Sequence, residues 1–342
     1  MKRLAIMAVV LLALAGLAVL GGLFWWNSSL EQFARTPYGS PEEKTVEIPS
    51  GAGMKQVARL FAGAGVVGDE TRFYWLARRL GIDRRIKAGE YGFSGPIAPE
   101  KVLEQIAQGR VKLYSCTIPE GLRADEVAPL LEQCGFGKAS ELLALARDAD
   151  FAKKAGLKAD SLEGYLYPDT YSFPKNPKAG QVLLKMVSRY NEEYRKADAL
   201  RQKGIGLDPH ETATLASIIE KETGDPQERP RISCVFHNRL KKKMKLETDP
   251  TVIYAKILRY GSFDGNIKRD DLEYFHPYNT YRVKGLPPGP IASAGAAALQ
   301  AALDPIECDD LFFVACGGGT HKFCPDYTCH QRWVDICQRG RK

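Results

Sequence analysis

The run from Leu4 to Trp26 contains no charged side chain and follows directly on Lys2 and Arg3. Coiled as a helix it measures about 34 Å, enough to cross the hydrocarbon core of a bilayer, where a lone segment must satisfy its own backbone polar groups. Phe24, Trp25 and Trp26 close the run with the amphipathic rings typical of membrane interfaces. Positive charge lies on the short N-terminal side. The expected topology is therefore a cytoplasmic stub at 1–3, a single anchor at 4–26 and the remainder outside the cytoplasm. A cleaved signal peptide is the alternative, because Ala13 and Ala15 have cleavage-like spacing, but the apolar run outlasts a normal signal core.

Beyond the anchor, a chain of 342 residues has room for more than one core, and it has no low-complexity tract. Its net charge is +7, with Lys241, Lys242, Lys243 and Lys245 as one local cluster. No nucleic-acid motif accompanies them, so the cluster reads as a solvated basic face and no nucleic-acid partner is expected. Eight cysteines fit an oxidising compartment. Cys116 and Cys134 flank a strand and helix and are placed to pair locally. Cys308, Cys316, Cys324, Cys329 and Cys337 crowd the tail beside His321 and His330, which opens a zinc reading. Their spacings match no common metal-ligand pattern, so disulfides, one of them using Cys234, are preferred and no metal is expected.

After a polar link at 27–44 comes an internal repeat. VEIPSGAGMKQVARLFAGAGV and CTIPEGLRADEVAPLLEQCGF align Ile48 with Ile118, Pro49 with Pro119, Gly51 with Gly121, Val57 with Val127 and Gly65 with Gly135. Each copy reads strand, Pro-x-Gly turn, amphipathic helix. The first copy continues through a helix at Glu70 to Leu80 to a closing strand in KAGEYGF, Lys87 to Phe93. That order resembles a LysM-like module, here 45–110. The resemblance implies binding of N-acetylglucosamine-containing glycans; a spacer without binding is the alternative. The second copy and its connection, with a helix at Ala139 to Ala155, occupy 111–160. Residues 161–342 form the last domain, which opens on LEGYLYPDTYSF, an extended segment by its aromatic spacing, and ends in the cysteine-rich tail.

In that last domain Leu215 to Thr223 reads LASIIEKET. Asp208 is the expected N-cap, Pro209 the first helical residue, Glu211 the partner in a capping box and Gly224 the stop, giving a helix of about four turns. Leu215, Ile218, Ile219 and Glu222 fall along one side, and Ala213, Ala216, Ser217 and Glu220 share the adjacent strip. Small neighbours leave room for a bulky ligand beside Glu220, and apolar flanks push its pKa toward the range of a general acid. A solvated charge in an EKE run is the bland alternative. Downstream, Asn238, Arg239, Thr248, Asp249, Tyr254, Tyr278, Asn279, Thr280 and Tyr281 make the mixture of directional polar groups and aromatic faces that binds sugars. Leu286 to Pro290, LPPGP, is a stiff turn suited to the wall of a cleft.

In order along the chain, EGYLYPDTY (Glu163 to Tyr171), SIIEKET (Ser217 to Thr223), FHNRL (Phe236 to Leu240), LETDPTVIY (Leu246 to Tyr254), YNTY (Tyr278 to Tyr281), GLPPGPI (Gly285 to Ile291) and HKF (His321 to Phe323) resemble the YceG-like endolytic murein transglycosylases. These are membrane-anchored enzymes that cut peptidoglycan glycan strands. The resemblance implies an α+β fold, Glu220 as catalytic acid/base, no cofactor, and a single-pass inner-membrane protein facing the periplasm. Its implied partners are peptidoglycan strands and the strand-synthesising machinery. Substrate-binding or positioning roles fall to Glu163, Tyr167, Asp169, Ser217, Asn238, Arg239, Thr248, Asp249, Tyr254, Tyr278, Asn279, Thr280, Tyr281, Pro287, Gly289 and His321. A hydrolase would need a second carboxylate, for which Glu163 and Asp169 are the candidates. A lytic enzyme needs one acid. Two alternatives stay open: a hydrolase leaving reducing ends, and a non-enzymatic glycan-binding scaffold.

Overall fold

The computed structural model describes residues 2–201 and 206–340. Met1 of the expected stub and residues 341–342 of the last domain lie outside the described residues. The chain is α+β, with helices predominating and two-stranded sheets between them. It divides into two compact units, Met1–Tyr114 and Ser115–Lys342.

The first unit begins with a helix, Lys2–Arg35, whose stretch from Ile6 is long and apolar enough to cross a membrane. The expected polar link at 27–44 needs correction, because the helix runs on to Arg35 and buries Leu30 and Ala34. Leu30, Phe33 and Ala34 stand three and four residues apart, so they form one stripe that joins the unit's core. Glu31 on the same turn accepts a hydrogen bond from Arg79 Nη2 at 2.7 Å. The core itself lies under strand Lys44–Ile48, which pairs antiparallel with Gly89–Phe93 and sets Val46 opposite Tyr91. Helices Met54–Gly63 and Glu70–Arg79 connect the strands, and Pro99–Gln108 follows. Phe61 packs between Phe73 and Phe93, with ring centroids 5.8 and 5.5 Å away. Strand, helix, helix, strand is the order expected of the module.

In the second unit, the strand at Tyr114–Thr117 pairs with Thr170–Phe173, and hydroxyls meet across them at Ser115–Ser172 and Thr117–Thr170. Only those last four residues of the expected extended segment are strand; Leu162 to Tyr167 turns inward, where Leu162, Tyr165, Leu166 and Tyr167 are buried. The helix expected at 139–155 is two, Ala139–Ala146 and Ala149–Lys154. Asp148 makes the break, since its carboxylate accepts from the amides of Asp150 and Phe151 and so starts a new helix. Cys116–Cys134 and Cys234–Cys308 are disulfides, and Cys316–Cys337 and Cys324–Cys329 join them in the tail.

At the centre of this unit lies the helix Pro209–Glu222, capped by the Asp208/Glu211 box as the sequence predicts. Thr212 through Ile219 are all buried. Helices Arg229–Lys241, Asp249–Tyr260 and Ala296–Leu303 pack against it. The alanines of the last, AAALQAAL, let the two backbones approach closely. Replacing Asp208 by Ala should cost about 1 kcal/mol of stability, seen as a lower urea midpoint at unchanged slope; an unmoved midpoint would mean that packing alone fixes the helix start.

Candidate active site

Glu220 sits in the last turn of the central helix with its side chain 6% exposed. Oε1 accepts from Arg229 Nη2 at 2.7 Å, and Oε2 accepts from the Gly295 amide at 3.0 Å. Arg229 opens one packing helix and Gly295 caps the start of another, so two neighbours of the central helix each deliver one donor. A fourth segment closes the site. In the turn Pro119–Leu122 the Gly121 amide donates to Ser293 O and the Ser293 amide to Leu122 O, both at 2.8 Å. Lys221 Nζ donates to Gly121 O at 3.0 Å. This turn carries Glu120, whose Oε2 lies 3.6 Å from Arg229 Nη1. A Cβ on residue 295 would fall 1.9 Å from Glu120 Oε1, so a larger residue there would displace the Glu120 carboxyl.

Burial raises the Glu220 pKa above the usual carboxylate range. The Gly295 amide, Arg229 and Lys221 oppose that rise and Glu120 adds to it, with a net upward shift. A carboxyl group on a rigid helix end, with its pKa raised by burial and a cation beside its ionised form, has the groups needed to donate a proton and take one back.

Glu163 anchors a second cluster. Its carboxylate accepts from the Ala124 amide at 3.0 Å and from Tyr254 OH at 3.3 Å, and burial pushes its pKa up to about 7. Tyr254 packs on Tyr278 with centroids 4.9 Å apart. Cavities of about 500 and 300 Å³ both reach Glu163, the first bounded by Arg123 and Tyr254, the second by Tyr278 and Gly289. The GLPPGPI loop forms part of this wall. Gly164, at φ +81°, leaves space for Pro290 that a Cβ would take, since that atom would lie 2.1 Å from the proline ring. Ser217 Oγ accepts from the Ile291 amide at 3.0 Å and donates to Thr214 O, while His210 bridges Tyr165 OH and Pro288 O. Pro287 and Gly289 are buried in the same loop.

The other residues expected to meet substrate are placed as follows. Asn279 donates to three backbone carbonyls, of Asp271, Leu272 and Tyr274, and is fully buried with Thr280. The Thr248 amide donates to the Thr280 hydroxyl oxygen, and the Thr248 hydroxyl donates to Glu222 Oε1. Tyr281 OH donates to Asp249 at 2.7 Å. Asn238 donates to Cys308 O and Asp310 O, and Arg239 to Leu311 O and Leu246 O. His321 pairs with Glu228 at 2.7 Å. Asp169 accepts from Arg189 Nε at 2.6 Å, and Arg189, which also lies over the Tyr167 ring, holds the Asp169 pKa down. None of these hydrogen bonds reaches Glu220.

Glu120, Arg229 and Gly295 were not among the expected site residues. The repeat carries a signal for Glu120, because it aligns with Ser50 and puts an acid where the first copy has a neutral side chain. Arg229 and Gly295 carry none, since only the loops leading to them bring them to Glu220. Glu222, which shares a side of the helix with Leu215, Ile218 and Ile219, is a buried acid with its pKa pushed up to about 7 by desolvation.

A family model for the YceG-like family matches residues 46–336. The chain belongs to the YceG-like family. A Bacillus subtilis relative named endolytic murein transglycosylase is 30% identical over 321 residues, covering 88% of this chain and 86% of the relative. A protein of the same name from Streptococcus pneumoniae D39 is 28% identical over 327 residues, covering 86% of this chain and 58% of that longer protein. The crystal structure of a YceG-like protein from Listeria monocytogenes matches with a TM-score of 0.54 at 30% identity, covering 86% of this chain and 99% of that one. This YceG-like chain thus shares its fold with a solved family member.

Glu163 and Glu222 bind protons more tightly in the folded chain than the usual 4.5 allows, so their contribution to stability is complete below that pH and is lost as pH rises through about 7. Replacing Glu163 by Gln should remove its share, on the order of 3 kcal/mol, and flatten the fall in thermal stability over that window. An unchanged slope would show that Glu163 titrates as an ordinary exposed acid.

Proposed function

We propose that the chain is an endolytic lytic transglycosylase, a lyase that cleaves the β-1,4 bond between N-acetylmuramic acid and N-acetylglucosamine within nascent peptidoglycan strands and leaves 1,6-anhydro ends. One observation carries the reading: a buried acid, Glu220, held between the Gly295 amide and the Arg229 guanidinium with its pKa raised. The relatives' printed name supports the substrate class.

In this reading Glu220 donates its proton to the departing glycosidic oxygen. Its carboxylate, steadied by Arg229, then removes the proton from the sugar's 6-hydroxyl, whose oxygen closes on C1. The ring closure is intramolecular, so no water has to be activated and no second carboxylate is required. That agrees with the engagement of the other candidates, Glu163 with Ala124 and Tyr254 and Asp169 with Arg189. The apolar N-terminal helix holds the enzyme at the inner membrane with its catalytic unit in the periplasm, where new strands emerge from the synthesis machinery.

Mass spectrometry of products from the full-length protein in detergent, acting on uncrosslinked glycan strands, tests the proposal. Internal cuts with anhydro ends are expected, and Glu220→Gln should lower their rate by at least about a hundredfold. Reducing ends would identify a hydrolase, and equal activity in the variant would remove Glu220 from the chemistry.

A further inference from the structure

The Arg229 guanidinium faces two carboxylates. Nη2 is 2.7 Å from Glu220 Oε1, a full charge-assisted hydrogen bond, and Nη1 is 3.6 Å from Glu120 Oε2, an ion pair too long for one. Its Nε is buried without a partner, so this cation keeps donor capacity that its present pairing does not use.

A general acid cannot act while paired in this way, because Arg229 favours the form of Glu220 that has no proton to give. Glu120 is an alternative acceptor already in place. The backbone bonds of its turn to Ser293 fix it, and its carboxyl lies over Gly295, whose amide holds Glu220. A movement of about an ångström would bring Arg229 to hydrogen-bonding distance of Glu120. We propose that Arg229 exchanges between the two carboxylates, and that Glu120 is the positioning residue that takes the guanidinium while Glu220 carries the proton. The inference rests on the reading of Glu220 as the catalytic acid.

Every charged neighbour of Glu220 fits into this balance. On its own helix Lys221 favours the carboxylate, as do Arg229 from the helix behind and the Gly295 amide at the start of the helix beside it. Burial and Glu120 favour the acid. Glu120 thereby acts twice, repelling charge on Glu220 and drawing away the cation that stabilises that charge. Glu220 takes up its proton from solvent once Arg229 leaves.

The fold does not need an acid in this turn. The first copy of the repeat makes the same turn with Ser50 and a following glycine at φ +78°, against +76° at Gly121. Glu120→Gln should therefore fold. The test is carbon-13 carboxyl NMR of the full-length protein in micelles, with the Glu220 signal assigned by its loss in Glu220→Gln, alongside kcat/KM across pH. In Glu120→Gln the titration midpoint of Glu220 should fall by about half a pH unit or more, the alkaline limb of kcat/KM should move down with it, and Glu120→Asp should restore part of both. An unmoved Glu220 midpoint, or a loss of rate equal at every pH, would overturn the exchange. Cleavage surviving in Glu220→Gln together with a shifted midpoint would sink the catalytic reading of Glu220 and leave the exchange standing.

Discussion

Enclosure of the helix Pro209–Glu222 is the constraint on which the second unit depends. A helix buried from Thr212 to Ile219 has no solvent face to turn toward water, so each neighbour must fit it. The alanine-rich helix Ala296–Leu303 fits by being small, and the segment before it fits by hydrogen bonding, with the Ile291 amide on Ser217 and the Gly295 amide on Glu220. The same enclosure that organises the core strips water from the Glu220 carboxyl and raises its pKa. Packing and acidity therefore have one cause, and a substitution that loosens the helix also alters its acid.

The polar residues around this core divide by what they hold. Asn279, Thr280, Thr248 and Thr251 form a buried network that fastens the loop before GLPPGPI to the helix Asp249–Tyr260, with hydroxyls 2.8 Å apart at Thr251 and Thr280. Arg239 ties four backbone and side-chain oxygens around residues 245–247 and Leu311. These groups read in the sequence as sugar ligands because the same amides, hydroxyls and guanidinium serve either purpose. Side-chain chemistry alone does not tell a backbone staple from a substrate contact.

What the sequence revealed follows from how local each signal is. The central helix was legible to its caps, since Asp208, Pro209 and Glu211 act within one turn. The module's strand, helix, helix, strand order was legible because repeat and periodicity agree. The break at Asp148 was not, because an N-cap inside an apolar-periodic stretch looks like one more polar face residue. The stripe of Leu30, Phe33 and Ala34 was hidden by the polar residues between them. Arg229 and Glu120 reach Glu220 only through tertiary structure, and no spacing along the chain encodes that meeting.

The helix that starts in the apolar N-terminal run and ends in the core of the first unit acts as a stalk. From Asn27 to Arg35 it rises about 14 Å, and because Leu30 and Ala34 are locked into the core, that length cannot slacken. For a helix seated in a bilayer, the small first unit is then carried at a set height above the lipid and cannot sweep through the volume a flexible leash would allow. The height of that unit above such a bilayer would be measured out in turns of helix, a fixed step where a coil would give a spread of distances.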